Sequence, residues 1–283
     1  MISQEPTANV FDLWDFGDPA ASEKRFRDAA DAATNDEAEG LALTQLARAQ
    51  GLQSKFDEAR ATIDIAKNLI GDGGTVAKAQ YWLELGRIEN SSGNAAAAMP
   101  HFANAMLLAD ALGEAYATLD AAHMLAIAAP LEEQPMYGES ALEMLNASSD
   151  ERAKRWVGPI VNNLGWAYMN LKQPAKALPC FRQSLEFRIS QGTETPIRIA
   201  RYALGCVLRA VGENDEALSV LQEALAMGGS VGYIEEEIGE CLCALGREVE
   251  ARPYFAEAHT KLSSKTDLSE SDPARLARIL ARA

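Results

Sequence analysis

Aromatic residues are scarce in this chain, at 7% of 283 residues, and histidines are scarcer, with three. A core short of aromatics must be built from alanine and leucine, and small side chains let helices approach closely. Basic residues are in deficit. Against 41 Asp and Glu stand 26 Lys and Arg, a formal net charge of −15. Nucleic acid and anionic membrane surfaces both need a basic patch, so neither is an expected partner. The surplus acid is read as solubility. No apolar run approaches the about 20 residues that span a bilayer. The opening MISQEPTANV has no basic n-region and no apolar h-region, so no secretory signal is expected there. The few cysteines, Cys180, Cys206, Cys241 and Cys243, all sit inside helical patterns and suit a reduced cytoplasm.

Chemistry is equally thin. The chain has no G-x-S-x-G, no H-E-x-x-H and no phosphate loop, and the pairs Gly73-Gly74 and Gly228-Gly229 follow no strand. Cys241 and Cys243 lie two apart on a helical stretch, where side chains diverge, and no histidine cluster stands nearby. Buried or half-buried free thiols are expected there rather than a metal site. His101 and His259 flank core positions and read as packing or surface residues. Asp120 and His123 can share a helix face, and such a pair can orient a general base. With no nucleophile in a matching context, a structural hydrogen bond is the preferred reading. No catalytic residue, metal or cofactor is expected.

What the chain does have is self-similarity. A small residue recurs at Ala47, Gly86, Ala122, Gly165, Gly205 and Gly239. Twelve residues after five of these comes a second small one: Ala59, Ala98, Ala177, Ala217 and Ala251. Four further on is a bulky residue, Ile63, Phe102, Phe181, Leu221 or Phe255. Three beyond that is Ala66, Ala105, Ser184, Ala224 or Ala258. Small and large alternate at helical spacing and are interrupted by turn residues such as Lys172-Gln173-Pro174. This predicts pairs of antiparallel helices that touch at the small residues.

The pattern resembles the tetratricopeptide repeat, an array of helix-turn-helix units of about 34 residues. Trp82, Leu85 and Gly86 match the family's opening Trp, Leu and Gly, and Tyr168 its next aromatic. Gly93, Gly212 and Gly246 match the turn glycine. Phe56-Asp57-Glu58-Ala59 and Asn214-Asp215-Glu216-Ala217 match the start of the second helix. The resemblance covers about residues 40–265. It departs from the family in two ways. The markers step by 39, 36, 43, 40 and 34 residues, with the extra residues falling between repeats near 71–74 and 192–196. The third repeat is degenerate, with Gln134 and Gly138 at the small and bulky positions and Pro130 and Pro135 bracketing the turn, so an irregularity is expected over 129–140.

The resemblance implies an all-α solenoid, a right-handed superhelix. Its expected organisation is an N-terminal segment with a capping helix over 1–35, about six repeats over 36–265, and a solvating helix over 270–283. Asp18-Pro19 and Asp272-Pro273 both read as helix starts. After the first, Ser22, Phe26 and Ala29 keep second-helix spacing. After the second, Leu276, Ile279 and Leu280 share one face and Arg275, Arg278 and Arg282 the other. Ahead of residue 18, Phe11, Leu13, Trp14 and Phe16 are too apolar to leave in water. They either pack back on the first helices or associate with another chain, for instance a second copy through Leu13, Trp14 and Phe16.

In this family the first helix of each unit lines a concave groove that binds protein or peptide, so the resemblance also implies a set of groove residues. These are Thr44, Gln45 and Arg48; Glu84 and Arg87, with Asn90 and Ser91 a turn on; Asp120 and His123; Asn162, Asn163 and Trp166, with Asn170 beyond; Tyr202 and Cys206, with Arg209 beyond; and Glu236, Glu237 and Glu240. The plain alternative is a solvated polar face. Two asparagines beside a tryptophan can hydrogen-bond a peptide backbone and clamp an apolar side chain. Arg48 and Arg87 early and Glu236 to Glu240 late imply an oriented ligand, acidic toward the N-terminal repeats and basic toward the C-terminal ones. The family's chaperone-tail clamp is not expected, because Ile199, Tyr202 and Ala203 stand where Lys and Arg would be needed. The expected role is a non-enzymatic scaffold for an unidentified protein or peptide. The alternative is a regulatory sensor that changes shape on binding a peptide and acts on a protein target.

Overall fold

The computed structural model describes residues 9–264 and 272–283. Among them are fourteen α-helices, two short 3-10 turns and no strand. The chain divides into two compact units, Met1–Trp156 and Val157–Ala283.

The first unit opens with a 3-10 turn, Val10–Leu13, and α1, Pro19–Asp31. Three hairpins follow: α2 (Asp36–Leu52) with α3 (Phe56–Ile70), α4 (Val76–Ser91) with α5 (Ala95–Ala111), and α6 (Ala115–Ala128) with α7 (Gln134–Ala147). A second 3-10 turn, Ala153–Trp156, ends it. The second unit pairs α8 (Val157–Asn170) with α9 (Pro174–Gln191), α10 (Glu194–Ala210) with α11 (Asn214–Ala226), and α12 (Tyr233–Ala244) with α13 (Glu248–Ser263). A last helix, α14 (Pro273–Leu280), packs on α13. No helix among the described residues is long and apolar enough to cross a membrane.

Local chemistry starts these helices. The Asp18 and Asp272 carboxylates accept from the amides of Ala21 (2.9 Å) and Arg275 (3.0 Å), and each is followed by a proline in the first turn. Asn35 caps α2 in the same way through Ala38 N at 2.9 Å.

Five of the hairpin turns also share a geometry, closed by one residue with positive φ. After α4, for example, Gly93 has φ +93° and the next amide, of Asn94, reaches back to Glu89 O at 2.8 Å. Gly212 and Gly246 serve the same role, whereas α2–α3 uses Ser54 (φ +61°) and α8–α9 uses Lys172 (φ +60°). A side chain there strains the left-handed region. Lys172→Gly is therefore expected to stabilise the second unit by about 0.5–1 kcal/mol, glycine's own entropy cost included. An unchanged or lowered denaturation midpoint would show that Lys172 is not strained.

The regular spacing has a direct physical cause. A Cβ built on Gly86 would fall 2.6 Å from the Phe102 ring, one on Gly165 2.9 Å from Phe181, one on Gly205 2.4 Å from Leu221, and one on Gly239 2.8 Å from Phe255. The marker and the bulky residue sixteen positions later thus meet across each of these hairpins. Ala47 and Ile63 share a core cluster in the same way. All five bulky residues are fully buried.

The third hairpin is irregular, and the cause is local. Ala129 is extended ahead of Pro130, as the residue before a proline prefers, so α6 stops there. A single turn with Glu133 N on Pro130 O (2.8 Å) replaces the left-handed closure, and Pro135 sits in the first turn of α7. Ala141 and Leu145 keep that helix packed.

At the N-terminal end Ser22, Phe26 and Ala30 are buried, with Ala29 at the edge. Val10, Leu13 and Trp14 pack against the Phe26 cluster. Phe16 stacks on Trp14 with centroids 4.6 Å apart but stays 61% exposed. At the C-terminal end Leu276 and Ile279 are buried, whereas Leu280, expected on the same apolar face, is 56% exposed. Leu280 lies one turn beyond Leu276 as the last residue of the helix, and it is turned about 100° away from the buried Ile279.

Candidate interaction surface

In the first unit the first helices of neighbouring hairpins lie side by side, α2 on α4 and α4 on α6. Polar side chains from the expected set meet along them. Gln45 is buried. It donates to Thr44 Oγ1 (3.2 Å) and Gln80 Oε1 (3.3 Å), and its own Oε1 accepts the Trp14 indole N–H at 2.9 Å. Thr44 donates its hydroxyl to Leu41 O at 2.7 Å.

One turn further on stands a buried ionic group. Arg87 donates to Glu84 Oε1 at 2.5 Å and to Asp120 Oδ1, so one guanidinium joins α4 to α6. Arg48 approaches Glu84 at 3.7 Å, and its guanidinium lies 5.2 Å from the ring centres of both Trp14 and Phe16. Full burial raises the Glu84 carboxyl, against the pull of Arg87 and Arg48. Burial lowers Arg87, but Asp120 and Glu84 more than offset it and hold the guanidinium charged. Arg48 is pushed down by burial and by its neighbour Arg87. Asn90 is half-buried and Ser91 exposed.

His123 sits beside the Trp156 ring at 5.1 Å, and Tyr116 meets the same ring at 5.5 Å. Burial takes the His123 pKa down to about 4, with Arg87 adding to the fall and Asp120 opposing it. Its imidazole is therefore neutral at neutral pH. In the unfolded chain it protonates near 6.5, so its contribution is complete above that value and is lost as pH falls toward 4. Between pH 7 and pH 5 the loss is about 2 kcal/mol. Urea midpoints at the two pH values should differ by less in His123→Leu than in wild type. Equal differences would remove His123 from the account.

In the second unit Asn162 and Asn163 bond to each other (Nδ2 to Oδ1, 3.2 Å) and stand half-buried beside Trp166. The Trp166 ring meets Phe181 edge-on at 5.2 Å, which fixes its orientation. Asn170 is exposed. Tyr202 lies 6.4 Å from Tyr233, and burial and then Cys206 raise its phenol. Arg209 grips Glu237 through both carboxylate oxygens, at 2.7 and 3.3 Å.

Glu236 is 2% exposed and engaged by the same chain: Arg275 reaches it at 2.6 and 2.9 Å and Arg278 at 3.0 Å, while Arg282 holds Glu240 at 2.5 Å. The arginines expected to cover the solvent face of the last helix thus reach the inner acids of α12. That pairing was open to reading, since a cationic triplet follows an acidic one in a chain of net charge −15. Gln80, Tyr116 and Trp156 had no such signal, because each lies outside the positions the repeat template marks. Cys180, Cys206 and Cys241 are buried, and burial lifts the Cys241 thiol to about 12.

Two tetratricopeptide repeat family models match the chain, over residues 158–228 and 202–264. No curated protein matches it in sequence. Among solved structures it is similar to the signal-transduction ATPase with a tetratricopeptide repeat sensor from Pyrococcus horikoshii. That match has 14% identity and a TM-score of 0.75, and covers 92% of this chain and 41% of the other. It is also similar to a chain of the Cut9–Hcn1 hetero-tetramer of the APC/C, at 17% identity and TM-score 0.64. There it covers 96% of itself and spans about half, 48%, of the other's length. A tetratricopeptide repeat protein from Parabacteroides merdae matches at 13% identity and TM-score 0.54, over 96% of this chain and 95% of that one. With the models matched over residues 158–264, the recurring hairpins and the glycine contacts that pace them, the chain carries tetratricopeptide repeats.

Proposed function

We propose that this protein is a non-enzymatic scaffold that holds protein partners on the faces of its first helices. Its family supports the general role, since tetratricopeptide repeats serve protein interaction. The single observation that carries the finer reading is Trp166. It is half-buried, locked edge-on to Phe181 and flanked by Asn162 and Asn163. A rigid aromatic with amide groups at its rim is suited to anchor an apolar side chain while bonding the backbone beside it. Tyr202 and Arg209 on α10 and the glutamates of α12 extend the proposed face. The test is a pull-down from the native lysate with wild type beside Asn163→Ala/Trp166→Ala. Partners lost only from the variant are expected, and a partner set common to both would sink the inner-face assignment.

A second reading, a peptide-sensing regulator, draws support from Glu236 and Glu240. A basic partner segment must displace Arg275, Arg278 and Arg282 to reach them, so binding would release α14. Small-angle scattering that stays unchanged on adding a partner identified by the pull-down would exclude this reading.

A further inference from the structure

We propose that the cavity between α2, α4 and α6 anchors an acidic residue of a partner peptide, with its carboxylate on Arg48 and an adjacent aliphatic side chain against Leu52 and Met124. This rests on the scaffold reading and names the chemistry of one of its sites. The cavity holds about 200 Å³ and is lined by Arg48, Arg87, Leu52, Ile88, Ser91 and Met124. That is room for one or two side chains and excludes a folded domain.

The two guanidiniums are not equivalent. Arg87 has both its terminal nitrogens engaged, by Glu84 and Asp120. Arg48 makes no hydrogen bond among the described residues. Its one carboxylate, Glu84, stands 3.7 Å away and is already bonded to Arg87. A partly buried guanidinium with free donors gains from a bidentate carboxylate more than from any neutral group. Burial and the Arg87 charge act against the charged form of Arg48, Glu84 and Asp120 act for it, and an incoming carboxylate would add to that second side.

The group is also held in place. The Trp14 and Phe16 rings lie on it at 5.2 Å each, and the Trp14 indole is tied to Gln45. Little side-chain freedom remains to be lost on binding. Apart from Gly51 and Ser91 the remaining walls, Leu52, Ile88 and Met124, are apolar, which favours an aliphatic neighbour for the acid. Leu52 is 54% exposed and has surface left to bury. The chain's net charge of −15 works against acidic ligands at long range, so the anchor rests on the local donors of Arg48 and not on the overall field.

The experiment is selection of a displayed random dodecapeptide library on the full chain, followed by affinity measurement on synthetic hits. The expected consensus is Asp or Glu beside Leu, Ile or Met. Replacing that acid by its amide should weaken binding at least tenfold, and this arm leaves the protein's own folding untouched. Arg48→Gln should weaken the parent peptide to a similar degree, and Arg48→Lys less. A consensus without acid overturns the anchor while leaving the scaffold reading standing. So does an acidic peptide that tolerates Arg48→Gln but not Arg209→Gln. A selection that enriches nothing overturns both.

Discussion

Arg87→Met is expected to destabilise the first unit by roughly 3–5 kcal/mol, because it strands two buried carboxylates. Glu84 is fully buried and Asp120 5% exposed, and Arg87 donates to both. The ionic group as a whole adds little net stability, since the desolvation of four charged groups offsets their attraction. Removing the central cation is different. It leaves Asp120 with no cation in hydrogen-bond reach among the described residues, and Glu84 with only Arg48 at 3.7 Å. Adding Asp120→Asn should recover part of the loss, so the two effects should be clearly non-additive. Urea unfolding of the single and double variants measures this. A single-variant loss below about 1 kcal/mol would mean that water reaches the carboxylates and that the group behaves as a surface pair.

Phe181→Ala should cost about 3–5 kcal/mol in the second unit. Its ring is fully buried and fills the space above Gly165, which has no side chain to collapse into the vacancy. The first hairpin suggests a repair, because there Ala47 faces Ile63. Gly165→Ala/Phe181→Ile should therefore lose less than Phe181→Ala: the added methyl refills space, and the glycine's helix penalty of about 1 kcal/mol is removed. Denaturation midpoints of the three proteins decide the matter. If the double variant is the least stable, small and large residues are not exchangeable across this contact.

Most of the fold was legible because it rests on contacts within a hairpin. The marker and its partner are sixteen residues apart, a separation fixed by two helical rises and one tight turn, so the spacing survives in the one-dimensional record. The proline-bracketed irregularity after α6 was legible for the same reason, since a proline acts on its immediate neighbours. The interaction surface was legible only as a set of positions. Side chains at those positions meet groups brought in from far along the chain. Trp14 is 31 residues from Gln45, Arg87 is 33 from Asp120, and Arg275 is 39 from Glu236.

Helical periodicity alone thus determined that the chain is an array of small-residue hairpins. Only tertiary packing decided which inner-face charges are already satisfied. Glu236, Glu240 and Glu237 are held by arginines of the same chain, and Arg87 is consumed by two carboxylates. Arg48 is left with unused donors, because whether a charge is free depends on what folds against it across distances that no local spacing encodes.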